Sequence, residues 1–511
     1  MSQSLARAAV LGRLWGAVAR EPIPGVVARR VDGDTLVVRL VDGREVTGAV
    51  DGATPFAVPA EGFGVMVAGR RCSDPADLVT ALDLGAAGER LAGEVAGSVA
   101  NLALARAAQP DPDGGPPALH RYAGDGLADL EQCVVDGHPL HPLCRTRTGL
   151  SEAEVRAYAP EHRPLVALRV YQVPEAAWFS TGDGLPPRLL VHPWQAEHVL
   201  TRYPTLRPTG ETVPARPLMS LRTLALATSP GWHVKTSIDV QMTSAVRIVS
   251  PAAVRNGPVV SALLAALGVR TGMGMLLEVA AGAVLVDGQP CRSLAMVRRR
   301  APVPRADTAL LPLATLAAPS PATGRPILTE AVTLGYQGRP MRFVADLVGL
   351  LIPPVLRLLH RGAALEAHGQ NTLVLLRGGR PRRVYYRDVG GVRLSPARLR
   401  AAGVDPPPIH GDLATDDPQA LRTKLFAALY VVLGELAATV GRAYDSDPVG
   451  VWRLVARAAR ATFAELPGSG ADAAALFGPT LPVKATTAMR LASDPLADLW
   501  TPLPNPLAGN A

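Results

Sequence analysis

Three neighbouring stretches gather side chains able to hold a polyanion. Ser220-Leu221-Arg222-Thr223 sets two hydroxyls and a guanidinium within four residues, and Lys235 follows shortly after. Thr243-Ser244-Ala245-Val246-Arg247 then adds two more hydroxyls and a second guanidinium. Three cations among several hydroxyl donors suit a polyphosphate or a polycarboxylate, because charge-assisted hydrogen bonds are the strong ones. Alone, the Ser220–Thr223 segment reads equally well as an ordinary helix cap.

A second group brackets a hairpin. Glu366-Ala367-His368-Gly369-Gln370-Asn371 leads into a short strand pair, and Arg387-Asp388-Val389-Gly390 leaves it. Asn371 and Asp388, one on each side, can both offer oxygen to Mg2+, the logic of an Asn and an Asp near nucleotide phosphates. A hairpin with polar ends is the plain alternative.

A third group is rich in histidine. His138-Pro139-Leu140-His141-Pro142 is followed by Arg145 and Arg147. The His-x-x-His spacing resembles half a zinc site, with His192 or His198 to complete it. The flanking prolines favour an extended loop instead, with histidines and arginines facing an anionic ligand. His192-Pro193-Trp194-Gln195 reads at least as well as a helix-starting turn. Near the end of the chain, Lys484 and Arg490 form a last basic pair.

The lysines matter because they are scarce. Of 52 basic residues only Lys235, Lys424 and Lys484 are lysine; the other 49 are arginine. Such a skew looks like base-composition drift, so a surviving lysine marks a place where a compact point charge suits better than a planar fork. The same drift makes the net charge of +8 a weak sign of nucleic acid. Aromatics are 4% and no basic stripe interleaves them, so no nucleic-acid partner is expected. Arg298-Arg299-Arg300 reads as a solvated face.

Several chemistries are excluded. A P-loop requires Gly-Lys, and none of the three lysines follows a glycine. No GxGxxG joins a strand to a helix, and Gly468-Ser469-Gly470 is too poor for a nucleophile elbow. Four scattered cysteines argue against a disulfide framework and for a reducing compartment. The longest apolar run, Leu425 to Gly434, is half of the roughly 20 residues a membrane span requires, and Pro353 and Pro354 break the greasy stretch 348–359. Arg13 interrupts any secretory signal. A soluble, cytoplasmic protein without a membrane partner is expected.

The elements that must position these groups follow from periodicity. The 511 residues are 48% hydrophobic and 19% charged, which calls for two to four folded units at roughly 100–200 residues each. An amphipathic first helix precedes short β-like stretches, among them Asp34–Leu40, and 81–108 turns helical. A Pro/Gly/Asp cluster at 110–118 reads as a linker. Ser151 with Glu154 is a capping box. Strand candidates lie at 165–173, 189–192, 233–240, 275–287, 292–298, 372–376 and 383–387, with His233, Lys235, Ser237 and Asp239 on one face. Helices are expected at 343–364, 418–443 and 449–465. The fold class is α+β, divided at 1–130, 131–342 and 343–511.

In order, Gly-His-Pro-x-His-Pro (137–142), His-Pro-Trp-Gln (192–195), Ser-Leu-Arg-Thr (220–223), Lys235, Thr-Ser-Ala-x-Arg (243–247), Glu-Ala-His-Gly-Gln-Asn (366–371) and Arg-Asp (387–388) resemble the NRPS-independent siderophore synthetases, the aerobactin-synthetase (IucA/IucC) family. The match runs from about 130 to 390, and Lys484 to Arg490 resembles the family's C-terminal segment. The resemblance implies a thumb, a mixed α/β fingers lobe and a largely helical palm lobe, with ATP between fingers and palm. It implies Mg2+-dependent adenylation of a carboxylate, commonly on citrate, and attack by an amine, hydroxylamine or alcohol.

By motif, Arg145, Arg147, Ser220, Arg222, Thr223, Lys235 and Gln370 would hold ATP, and Arg247 and His368 would act at the α-phosphate. Glu366, Asn371 and Asp388 would hold the metal, and His138, His141, Lys484 and Arg490 the donor substrate. A homodimer is the expected assembly. Two departures stand out: Arg145 occupies a place where the family usually has lysine, and the chain is short for the family, with length missing from its C-terminal lobe. Two rival readings are a small-molecule kinase, on the strength of His410-Gly411-Asp412-Leu413, and a non-catalytic carboxylate or siderophore carrier.

Overall fold

The computed structural model describes residues 2–242, 245–492 and 498–508. The first helix, Ser2–Arg20, buries Val10, Leu11, Leu14, Trp15 and Val18, the one-sided spacing of an amphipathic helix. It packs on helix Gly85–Ala107 and on a five-stranded antiparallel meander running from Val26–Asp32 to Arg70–Cys72. Trp15 Nε1 donates to the Ala49 carbonyl at 3.1 Å and pins the sheet to the helix. This N-terminal core also takes Leu143, Cys144 and, from the far end of the chain, Ala485 and Ala488.

The middle of the chain forms an eight-stranded antiparallel sheet. Its order is Trp178–Gly182, Leu277–Val286, Gln289–Arg300, Trp232–Thr236, Thr223–Leu226, Arg207–Pro217, Val166–Gln172, Arg188–Val191. The expected strand 233–240 is in fact two. It stops at Thr236, and Ile238–Met242 pairs with Ala245–Arg247 in a separate ribbon. Ser237 diverts the backbone: its Oγ donates to the Arg292 carbonyl at 2.6 Å and accepts from Val249 N–H at 3.1 Å. His233 and Lys235 therefore share a face, but Ser237 and Asp239 do not extend it. Asp239 instead accepts from Gln195 Nε2 at 2.9 Å and Ser293 Oγ at 2.8 Å.

The triple arginine is only in part a solvated face: Arg300 is exposed, Arg298 half-buried and Arg299 buried. Alternation along the strand puts Arg298 and Arg300 over the Trp232 ring, at 4.1 and 5.7 Å. Arg299 points to the other side, 2% exposed, with Glu278 at 3.0 Å.

The C-terminal half is built on helices Pro340–His360, Pro418–Tyr444 and Val449–Ala464 around the largest core. A four-stranded sheet lies beside them, ordered Gly274–Met275, Arg380–Tyr386, Thr372–Arg377, Thr308–Pro312. Pro353 and Pro354 do not break the first of these helices. Each lacks an N–H and forfeits a ladder bond, but Leu351, Ile352, Pro354 and Val355 bury the surrounding turn. Helices Pro251–Thr271, Pro340–His360 and Pro418–Tyr444 are each long and apolar enough to cross a membrane, contrary to the count of unbroken apolar runs. In the fold, 50%, 61% and 78% of their apolar windows are buried inside the protein.

Candidate active site

The register of the eight-stranded sheet assembles the first wall. Thr223 lies directly opposite Lys235, and His233 lies opposite Arg299, which lies opposite Glu278. Thr223, Lys235, His233, Arg299 and Glu278 thus face one way. Ser220 is not a helix cap: its carbonyl accepts from Thr223 N–H at 2.8 Å in a turn that enters strand Thr223–Leu226.

The hairpin Thr372–Tyr386 supplies the facing wall. Asp388 sits just past it in the left-handed region, φ 72°, with its carbonyl held by Tyr386 Oη at 3.1 Å. Both carboxylate oxygens accept from Lys235 Nζ, at 2.9 and 2.8 Å, and Arg299 stands 3.7 Å away. Burial alone would raise the Asp388 pKa; Lys235 and then Arg299 overcome it and hold the carboxyl well below the usual range. Nε of Arg222, Nε of Arg299 and Nδ1 of His233 are buried without a hydrogen-bond partner. Buried polar atoms are costly to leave unpaired, so these three mark where a ligand would be held.

Neighbouring Arg387 turns the other way. Its guanidinium takes both oxygens of Glu131, at 2.5 and 2.9 Å, and donates to the Gln370 carbonyl at 2.9 and 3.2 Å. Glu131 also accepts from Met219 N–H at 2.8 Å. Glu131 therefore joins the loop before Ser220 to the loop of His368, Gln370 and Asn371, whose carbonyl accepts from Arg387 N–H at 3.0 Å. Sequence reading missed Glu131; its helix, Leu127–Gln132, crosses the boundary expected near residue 130.

Four histidines repeat one local device. His138, His141, His192 and His368 each accept, on Nδ1, the N–H two residues ahead, from Leu140, Leu143, Trp194 and Gln370, at 3.1–3.2 Å. Each is followed by Pro or Gly, which favours that tight turn. An accepting Nδ1 leaves the hydrogen of a neutral ring on Nε2. Burial drives the pKa of His138 to about 3 and lowers those of His141 and His368, so these rings are neutral N–H donors. His138 and His141 stand edge to face at 6.1 Å. The zinc alternative does not form: His192 packs on Tyr158, and His198 pairs with Glu154 at 3.0 Å. Among the described residues no three His, Cys, Asp or Glu side chains could hold a metal ion together.

All three lysines end at acids. Lys235 meets Asp388, while Lys424 and Lys484 reach one oxygen of Glu366, at 3.6 and 3.9 Å. Lys484 also pairs with Asp498 at 2.9 Å and lies 5.8 Å from the Trp500 ring centre. Lys424 was not singled out as a site residue in the sequence, although its rarity was the available signal.

The remaining expected residues divide. Burial, then Arg222 and Arg147, lower the Arg247 pKa to about 10, opposed by Asp388 and Glu366, and its backbone pairs with Ile238 in the separate ribbon. Thr243 and Ser244 of its motif lie outside the described residues. Arg145 is committed elsewhere: its Nε and Nη2 donate to the Val135 and Val134 carbonyls, and its Nη1 faces Glu161 at 3.4 Å. Arg147 shares that Glu161 at 3.2 Å. Arg490 is spread over the carboxylate of Glu94, Nε at 3.0 Å.

Fold and site together define a mixed α and β protein that sets cations on an antiparallel sheet against carboxylates on a hairpin. Residues 126–182 and 188–318 match the IucA/IucC family model, and 341–497 match a model described as ferric iron reductase FhuF-like transporter. The chain is 30% identical to staphyloferrin A synthase of Staphylococcus aureus over 433 residues, 75% of this chain and 73% of that protein. It is 25% identical to D-ornithine–citrate ligase of the same organism, over 65% of this chain and 60% of that one.

Among solved structures, the petrobactin biosynthesis protein AsbB of Bacillus anthracis superposes with a TM-score of 0.83 at 19% identity, over 99% of this chain and 96% of that one. The ATP-bound aerobactin synthetase IucA of Klebsiella pneumoniae gives 0.77 at 20% identity, over 99% of each. The chain belongs to the IucA/IucC family of NRPS-independent siderophore synthetases.

Proposed function

We propose that this chain is an ATP-dependent, AMP-forming ligase of siderophore assembly, acting on citrate or a related polycarboxylate and on an amine, hydroxylamine or alcohol. In this reading 1–130, 131–342 and 343–511 are thumb, fingers and palm of a cytoplasmic homodimer. The observation that carries it is the Lys235–Asp388 contact between sheet and hairpin, beside Arg222, Arg299 and His233, whose buried Nε, Nε and Nδ1 have no hydrogen-bond partner.

In the first step a donor carboxylate oxygen bonds to the α-phosphorus of ATP and pyrophosphate leaves. Negative charge builds on phosphoryl oxygens, so preorganised cations are the main catalytic resource. Lys235, Arg222, Ser220 and Thr223 would hold the phosphates, and Arg247 and the Nε2–H of His368 would meet the α-phosphate oxygens. Glu366, Asn371 and Asp388 would supply the hard oxygen ligands that Mg2+ takes, and the ion when bound would offset phosphate charge. Asp388 would then share its carboxylate with Lys235. The neutral His138 and His141 donors would orient the donor carboxylates. In the second step the nucleophile bonds to the acyl carbon and AMP leaves, while its proton passes to solvent.

Two other readings lose support. In the kinase reading His410-Gly411-Asp412 would be catalytic, yet the Asp412 side chain is 88% exposed and pairs with Arg393 at 3.3 Å. The carrier reading predicts loss of Lys235 or of the Asn371 and Asp388 pair, and all three stand in the chain. The test is a hydroxylamine-trapping assay with ATP, Mg2+ and citrate, 2-oxoglutarate or a succinyl donor. AMP and pyrophosphate are expected; release of ADP instead would overturn the proposal.

A further inference from the structure

A cleft of about 700 Å3 opens in the helical half of the chain and shares no residue with the site described above. Five arginines line it. Arg270 ends helix Pro251–Thr271, Arg357 and Arg361 stand at the end of helix Pro340–His360, and Arg398 lies on helix Pro396–Ala401. The fifth, Arg422, precedes Lys424 by two residues on helix Pro418–Tyr444. Two residues turn a helix by about 200°, so Arg422 leaves the side opposite to the one that carries Lys424 toward Glu366.

Two acids face these five cations. Asp472 accepts from Arg398 at 2.8 and 3.1 Å and from Arg422 Nε at 2.7 Å, and Glu465 accepts from Arg357 at 2.7 Å. Arg270 and Arg361 have no acid within 4.0 Å among the described residues. Burial lowers the pKa of His360, which adds no charge at neutral pH. Five guanidiniums against two carboxylates leave a formal excess of three positive charges. Helix dipoles favour a cation in each last turn, but not five around one cleft, where like charges repel. Guanidinium forks match paired phosphate or carboxylate oxygens. The two free forks stand on different helices, which suits an anion charged at more than one centre. No Phe, Tyr or Trp lines the cleft, so nothing there stacks on a nucleobase.

We propose that this cleft is a second anion site, which takes a polyphosphate chain on Arg270 and Arg361 and is separate from the site that handles ATP. Its occupant ties helix Pro251–Thr271, packed on the eight-stranded sheet, to helix Pro340–His360 of the C-terminal core.

The experiment is calorimetric titration of inorganic tripolyphosphate, ATP and citrate, at one fixed ionic strength, into wild type and the double variant Arg270→Gln/Arg361→Gln. Wild type is expected to bind tripolyphosphate at two sites and the double variant at one, the second site weakening by about a hundredfold for two charged contacts. ATP–pyrophosphate exchange should be unchanged, because neither arginine belongs to the catalytic site. A second equivalent of ATP that the double variant loses would sustain the site and assign it to a nucleotide's triphosphate. A single tripolyphosphate site in wild type, a second site that survives both substitutions, or a second site that takes citrate as tightly overturns the proposal. If the double variant does not fold, Arg270→Gln, at an exposed position, decides by a loss of about tenfold. Absence of exchange in wild type sinks the ligase reading and leaves this comparison standing.

Discussion

Glu131 and Arg387 stand 256 residues apart and meet as a doubly hydrogen-bonded pair at 2.5 and 2.9 Å, with side chains 0% and 3% exposed. Through Met219 N–H and the Gln370 carbonyl, this pair clamps the sheet wall of the site to the hairpin wall. Lys235 of the sheet and Asp388 past the hairpin meet across the same junction.

Removing one partner of a buried pair leaves the other charge uncompensated, which costs about 3–5 kcal/mol. Glu131→Ala should destabilise by that order in denaturant unfolding and also weaken ATP. The double variant with Arg387→Ala should lose less than the sum of the two singles. Additive losses would show that the two side chains are not coupled.

Lys235→Arg keeps the charge but replaces a point donor with a planar fork at a place where both Asp388 oxygens lie within 2.9 Å. ATP–pyrophosphate exchange should fall by at least about tenfold, close to 1.4 kcal/mol. Asp388→Asn keeps a residue type that tolerates the left-handed backbone but leaves Lys235 without its anion and Arg299 with Glu278 alone. It should abolish exchange and lower the melting temperature. Normal turnover in either variant removes that residue from the mechanism.

Lys484 and Arg490, grouped together by the sequence, should separate in kinetics. Lys484→Ala should raise the donor KM by about ten- to a hundredfold, the worth of roughly 1.5–3 kcal/mol for a charged hydrogen bond, with ATP unaffected. Arg490 is bound to Glu94, so Arg490→Ala should act mainly on thermal stability, by about 1–3 kcal/mol for the partner left unpaired. A rise in donor KM without a change in melting would restore Arg490 as a direct contact.

Glu21 accepts the N–H groups of Thr487 and Ala488, at 2.7 and 2.9 Å, and so holds the short helix that carries Arg490. Burial nevertheless raises its pKa from 4.5 to about 7. Between these values the native state binds the extra proton, so its contribution is whole below about pH 4.5 and is lost as pH rises through 7. The slope is at most about 1.4 kcal/mol per pH unit. Glu21→Gln should flatten stability against pH over this window. Glu435, also raised to about 7 by burial, retains part of the dependence. An unchanged profile would show that Glu21 does not titrate there.

Local order was legible in the chain itself. The capping box at Ser151 and Glu154 forms as spaced. Strands Val166–Gln172 and Thr372–Arg377 and helix Pro418–Tyr444 lie within a residue or two of where periodicity put them, because alternation and the 3.6-residue repeat act between near neighbours. The scarcity of lysine likewise marked three positions of consequence. What those lysines face was decided only in three dimensions. Lys424 on Glu366, Arg387 on Glu131 and Arg490 on Glu94 join residues tens to hundreds of positions apart. Arg299 and Arg145, a solvated charge and an ATP contact by type, became buried partners of Glu278 and Glu161. A residue's own type sets its charge, but whether that charge is spent on the fold or left for a ligand depends on which acid packing brings within about 4 Å, where attraction in a poorly solvated interior far exceeds its value in water.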